Sequence, residues 1–106
     1  MHMTRIYRNP EVLWREEDEA AAEAYLGLES GADVEEIGTS LLFAGGEMVA
    51  LNLLGTEVWK RCDGRSAEEI VTLLLDEFEV EPDILRADVE AFLAELAAKG
   101  FIRHEE

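Results

Sequence analysis

The side chains that could do covalent or proton-transfer chemistry in this 106-residue chain are few: the thiol of Cys62, the hydroxyls of Ser40 and Ser66, and the imidazoles of His2 and His104. Nucleophilic catalysis needs a nucleophile, a base within hydrogen-bond reach and a group that orients the base. The spacing assembles no such set. Cys62 continues an apolar stripe with Leu54 and Val58 at helical spacing, where a buried, inert thiol is expected. Ser66 stands three residues before Glu69 and reads as a helix cap, and both histidines are near the ends of the sequence. The carboxylate pairs Glu16 with Glu17, Glu35 with Glu36 and Glu68 with Glu69 are so alike that nothing selects one as acid and base, and they read as solvated faces. One cysteine rules out an intramolecular disulfide, and the histidines and cysteine lack zinc-site spacing. A non-enzymatic protein without metal or cofactor is expected.

The elements that position these residues follow from composition and period. With 25 acidic residues against 9 Lys and Arg the formal charge is -16, while 48% hydrophobic residues are too many for a disordered acidic tail. A single folded domain over 1–106 is expected. Its field repels phosphate backbones and anionic lipid, so nucleic acid and membrane are not expected partners. The first ten residues hold no apolar signal core, no segment approaches the roughly 18 to 20 apolar residues that span a bilayer, and a cytoplasmic protein is expected. From Glu16 to Trp59 there is no Lys or Arg.

Alternation over Val12 to Glu17 predicts a first strand, with Val12 and Trp14 on one side and Leu13 and Arg15 on the other, and Asp18 to about Glu29 predicts a short helix. Two apolar runs, Ser40 to Ala44 and Glu47 to Leu51, flank Gly45 and Gly46, which is the pattern of a two-residue hairpin with a primed turn. Counting outward pairs Phe43 with Met48 and Leu42 with Val49. Leu42, Val49 and Leu51 then share one face, and Leu41, Phe43, Met48 and Ala50 the other, so both faces are apolar and the second needs a cover. The cover could be the first 38 residues, a twin subunit or a ligand. From Asn52 the period becomes helical. Asn52 caps a helix closed by Asp63 and Gly64, Ser66 with Glu69 opens a second, and Pro82 begins a third that runs to Lys99 and stops at Gly100. Phe101 and Ile102 are expected to fold back on the core. The fold class expected is α+β and winged-helix-like, a three-stranded antiparallel sheet followed by three helices, with residues 1–38 as a strand and acidic insertion before a core of 39–102.

Three binding readings compete. Gly38 to Leu41 weakly mimics a phosphopantetheine carrier site, but Ser40 begins a strand where that site needs a helix. A winged helix would place its third helix in the major groove, yet this helix carries Asp83, Asp88, Glu90 and Glu95 against Arg86 and Lys99. Peptide or protein binding remains. As the last strand of a meander, Glu47 to Leu51 would offer an edge for a guest strand, with the third helix as the other wall of a groove. On the residues alone, Phe43 and Met48 read more readily as core, and the N-terminal segment could block the edge.

The run Leu51, Asn52, Gly55, Val58, Trp59, Asp63, Gly64, Ser66, Glu69, Ile70, followed by Asp88, Val89, Phe92, Leu93, Leu96, Gly100, Phe101 and Ile102, resembles the PqqD-like family, also called the precursor-peptide recognition element. The resemblance covers about 39 to 102. It implies a non-catalytic chaperone that binds the leader of a ribosomally made precursor peptide by strand addition and presents it to a modifying enzyme, often a radical S-adenosylmethionine enzyme. The strand it implies is Glu47, Met48, Val49, Ala50 and Leu51, and the helix wall is drawn from Leu85, Asp88, Val89, Phe92 and Glu95. Two features depart from the family: residues 18–37 are longer than its usual loop and could dock on an enzyme, cover the sheet or form a homodimer, and the acidity points to a basic leader or enzyme surface. The alternative is a small acidic adaptor for a folded protein partner.

Overall fold

The computed structural model describes residues 4–106, in the order β1 (Arg5–Arg8), β2 (Leu13–Glu16), α1 (Asp18–Glu29), β3 (Ser40–Ala44), β4 (Glu47–Leu51), α2 (Leu53–Lys60), β5 (Asp63–Arg65), α3 (Ala67–Glu77), α4 (Pro82–Ala98) and β6 (Ile102–Glu105). The class is α+β with antiparallel strands and four helices, as the sequence led us to expect. The strand count differs: there are two three-stranded sheets, β2-β3-β4 and β5-β1-β6. The chain forms two compact units, Pro10–Glu57, and Val58–Glu106 together with the described part of residues 1–9, with α2 running from one into the other.

In the first unit the meander β2-β3-β4 has the expected register, Phe43 opposite Met48 and Leu42 opposite Val49, and β2 joins β3 with Leu13 opposite Phe43 and Glu16 opposite Ser40. The strand expected over Val12 to Glu17 is therefore the first of this sheet, as β2. Leu42, Leu51 and Leu53 are buried here, as is Ala24 of α1. α1 has no side-chain cap, and is fixed instead by its end: Ser30 Oγ donates to the Gly27 and Leu26 carbonyls, and Ala32 N donates to Gly27 O at 2.8 Å. A Cβ on Gly27 would come within 2.8 Å of Val34 Cγ1, so the missing side chain is what lets the following loop return onto the helix.

The second unit holds the sheet that the sequence did not announce. β1 lies between β5 and β6, with Ile6 opposite His104 and Arg65. β1 and β6 are four residues each and mostly charged or polar, and only Ile6 and Ile102 are buried apolar anchors, so period two is not visible over so short a run. The expected helix end at Asp63 and Gly64 is corrected. α2 stops at Lys60, turns through Arg61 N to Val58 O and Cys62 N to Trp59 O, and Asp63 and Gly64 enter β5. Gly64 does adopt a positive φ of 109°, but within a strand, where a Cβ would meet the Tyr7 ring at 3.3 Å.

The remaining caps are as expected. Asn52 Oδ1 accepts from Gly55 N at 2.9 Å, and Ser66 with Glu69 completes a reciprocal capping box. Pro82 occupies the first turn of α4, and Gly100, at φ 76°, follows its end. Ile70, Val71 and Leu74 of α3 and Leu85, Val89, Leu93 and Leu96 of α4 are buried, together with Phe101 and Ile102. Each such side chain contributes about 1.5 to 3 kcal/mol of transfer free energy. α2 is buried nearly all round, from Gly55 to Trp59 as well as at Leu53, where the sequence suggested a single stripe.

Candidate functional site

Three of the residues with reactive groups, Cys62, Ser40 and Ser66, are held in structural roles. Cys62 is buried, its Sγ donates to Val58 O at 3.2 Å, and burial pushes its thiol up to about 12, outweighing the lowering by Arg8. A thiol so placed is not a nucleophile at neutral pH. Ser40 is a buried hydroxyl bonded to Thr56, Ser66 is the α3 cap, and His104 is exposed in β6. His2 lies outside the described residues. Glu68 takes two hydrogen bonds from Arg86, which holds its carboxyl below the usual range. Glu69 is lowered chiefly by the backbone hydrogen bond from Ser66. Among the described residues no group of three His, Cys, Asp or Glu is placed to hold a metal ion.

The strand β4 is different because its geometry leaves backbone groups facing outward. Gly45 and Gly46, at φ 57° and 80°, form the primed two-residue turn, which makes Ala44 and Glu47 a hydrogen-bonded pair. Alternation then directs the N–H and C=O of Glu47, Val49 and Leu51 toward β3. Two bonds outside the regular ladder agree: Thr39 N donates to Leu51 O at 2.7 Å, and Glu17 N donates to Thr39 O at 2.8 Å on the β2 side. The N–H and C=O of Met48 and Ala50 therefore point away from β3, and among the described residues no strand pairs with that side of β4.

Of the residues expected on this strand, Glu47, Met48 and Ala50 are exposed, Val49 is half-buried and Leu51 is buried. The expectation that Phe43 and Met48 are core is corrected, since both are exposed, on the sheet face opposite Leu42. Of those expected on α4, Asp88 and Glu95 are exposed, Phe92 is half-buried, and Leu85 and Val89 are buried. The two sets belong to different units. What the sequence reading missed is which β4 residues present their backbone outward. The signal was available in the two-glycine turn, which fixes the parity of the whole strand.

The sequence model of the family described as Coenzyme PQQ synthesis protein D (PqqD) matches residues 29–102. No curated protein matches the chain in sequence. Among solved structures, TbiB1 in complex with the TbiA(beta) leader peptide is similar, with a TM-score of 0.66 at 21% identity over 92% of this chain and 94% of that one. So is the solution structure of the PqqD truncation of Methylobacterium extorquens PqqCD, a stand-alone recognition element for ribosomally synthesised and post-translationally modified peptides. Its TM-score is 0.62 at 22% identity, over 95% of this chain and 88% of that one. At these identities the likeness establishes a shared fold.

Proposed function

The chain belongs to the family of coenzyme PQQ synthesis protein D, and from that membership we propose that it is a peptide-recognition element: it binds the leader of a ribosomally made precursor by adding it as a fourth strand to β4. The modifying enzyme to which it presents the precursor is, in this proposal, a radical S-adenosylmethionine enzyme, and the site of action is the cytoplasm. The chain's own part is binding. One observation carries the reading: the Met48 and Ala50 backbone groups face outward at the end of the sheet, on an exposed strand without Pro or Lys. At the other end β2 is the poorer acceptor, being four residues long, preceded by Pro10 and carrying Arg15 paired with Glu17. A TbiB1 structure of the same fold holds a leader peptide, which supports a role of this type here.

Each backbone bond formed with a guest is worth about 0.5 to 1.5 kcal/mol net, because water is displaced from both partners. Backbone pairing alone therefore gives modest affinity, and side chains must select the leader. The test is titration of the isotope-labelled full chain with the precursor peptide encoded nearest its gene. Saturable amide shifts at Met48 and Ala50 are expected. A folded protein whose β4 amides stay silent throughout would favour an acidic adaptor that ignores isolated leaders.

A further inference from the structure

Directly opposed residues in a sheet share a face, so the registers of the β2-β3-β4 sheet define rows running across all three strands. One row is Leu13, Phe43 and Met48, residues that are 71%, 38% and 62% exposed. Its neighbour on the same face is Arg15, Leu41 and Ala50. Two large apolar side chains and a leucine in line on an exposed face are unusual for a sheet with one solvated side. The row also ends at Met48, one of the residues whose backbone faces outward.

Resting on the strand-addition reading, we propose that this exposed face selects the guest peptide, and that the guest residue level with Met48 is apolar. A strand added to β4 lies about 4.8 Å from it, so the guest residue opposite Met48 becomes the fourth member of the row. Its partner two positions away, level with Ala50, meets a small side chain and is free to vary in size. The residue between them, level with Val49, points to the other face. The peptide's flanks are basic: residues 10–57 carry twelve acidic side chains against the one arginine, Arg15, which is itself paired with Glu17. The occupant is thus an extended segment with an apolar residue level with Met48 and Lys or Arg outside the paired stretch.

The experiment selects random 12-residue displayed peptides on the full-length protein, then locates each enriched peptide by amide shifts and by nuclear Overhauser contacts to Met48. Enriched peptides should carry an apolar residue level with Met48. Placing Asp there should weaken binding about two- to fivefold. The same selection on Met48→Lys should switch the preferred residue to Asp or Glu, with the thermal midpoint unchanged because Met48 is exposed. If the Met48 and Ala50 amides shift but that position shows no preference, or the Met48→Lys consensus is unchanged, the face does not select and strand addition stands without it. If enriched peptides leave the β4 amides unmoved, strand addition itself fails and this inference falls with it.

Discussion

Thr39 Oγ1 and Thr56 Oγ1 lie 2.6 Å apart with both residues fully buried, and Ser40 Oγ lies 2.7 Å from the same Thr56 oxygen. One hydroxyl of α2 thereby serves two at the start of β3. Thr56→Val should leave both without that partner and cost about 1 to 3 kcal/mol, whereas Thr56→Ser should recover most of the loss. Urea unfolding of the two variants checks this.

The α3 cap couples stability to pH. Ser66 Oγ accepts from Glu69 N at 3.2 Å and Glu69 Oε1 accepts from Ser66 N at 3.0 Å, so Ser66→Ala should cost about 1 kcal/mol. Glu69 has its carboxyl lowered in the folded state, so its contribution is present above the ordinary value of 4.5 and fades as pH falls through the folded one. Glu69→Gln should flatten the acid side of the stability profile in thermal melts, leaving the Glu68 share in place.

Cys62 gives the opposite sign. Its thiol is raised from 9.0 to about 12 by burial, so the stability it confers is complete below pH 9 and is lost as pH rises toward 12. Folded protein at pH 8 should react with a thiol reagent only as fast as it opens, and at once in denaturant.

On the proposed strand addition, backbone parity on β4 separates binding from folding. The Ala50 N–H faces outward, so Ala50→Pro should spare the ladder with β3 and weaken leader binding about three- to tenfold. Val49→Pro removes a donor to β3 and should destabilise the sheet itself. Circular dichroism with peptide titration distinguishes the two.

Gly64→Ala should destabilise by at least about 1 kcal/mol, because it combines a φ of 109° with a contact of 3.3 Å to the Tyr7 ring. A thermal melt reads it directly.

The residues that were legible in the sequence are those whose signal is local. Gly45 and Gly46 fixed a hairpin and its register, Ser66 with Glu69 and Pro82 fixed helix starts, and the helix expected from Asp18 to about Glu29 is found as α1. The β5-β1-β6 sheet was not legible, because it joins three segments far apart in the sequence, two from near its ends and one from its middle, and its strands carry so few apolar residues. Asp63 and Gly64 looked like a helix stop because positive φ serves a strand here as well as it serves a cap. For the candidate site, strand β4 could be read from the hairpin, and which of its side chains are covered could not. Exposure of Phe43 and Met48 depends on what packs over a face, and alternation says only that a face exists.

An open sheet edge accepts a copy of itself through the same bonds that would hold a guest strand, which is the usual route from an open sheet to aggregation. Twelve carboxylates against one arginine in residues 10–57 set a barrier of like charge between any two such edges, one that reaches about 10 Å at 0.1 M salt. The acidity of the unit that holds the open sheet is then a solubility device. Concentrated salt, or a pH near the isoelectric point of about 4.3, removes that guard while leaving the edge intact.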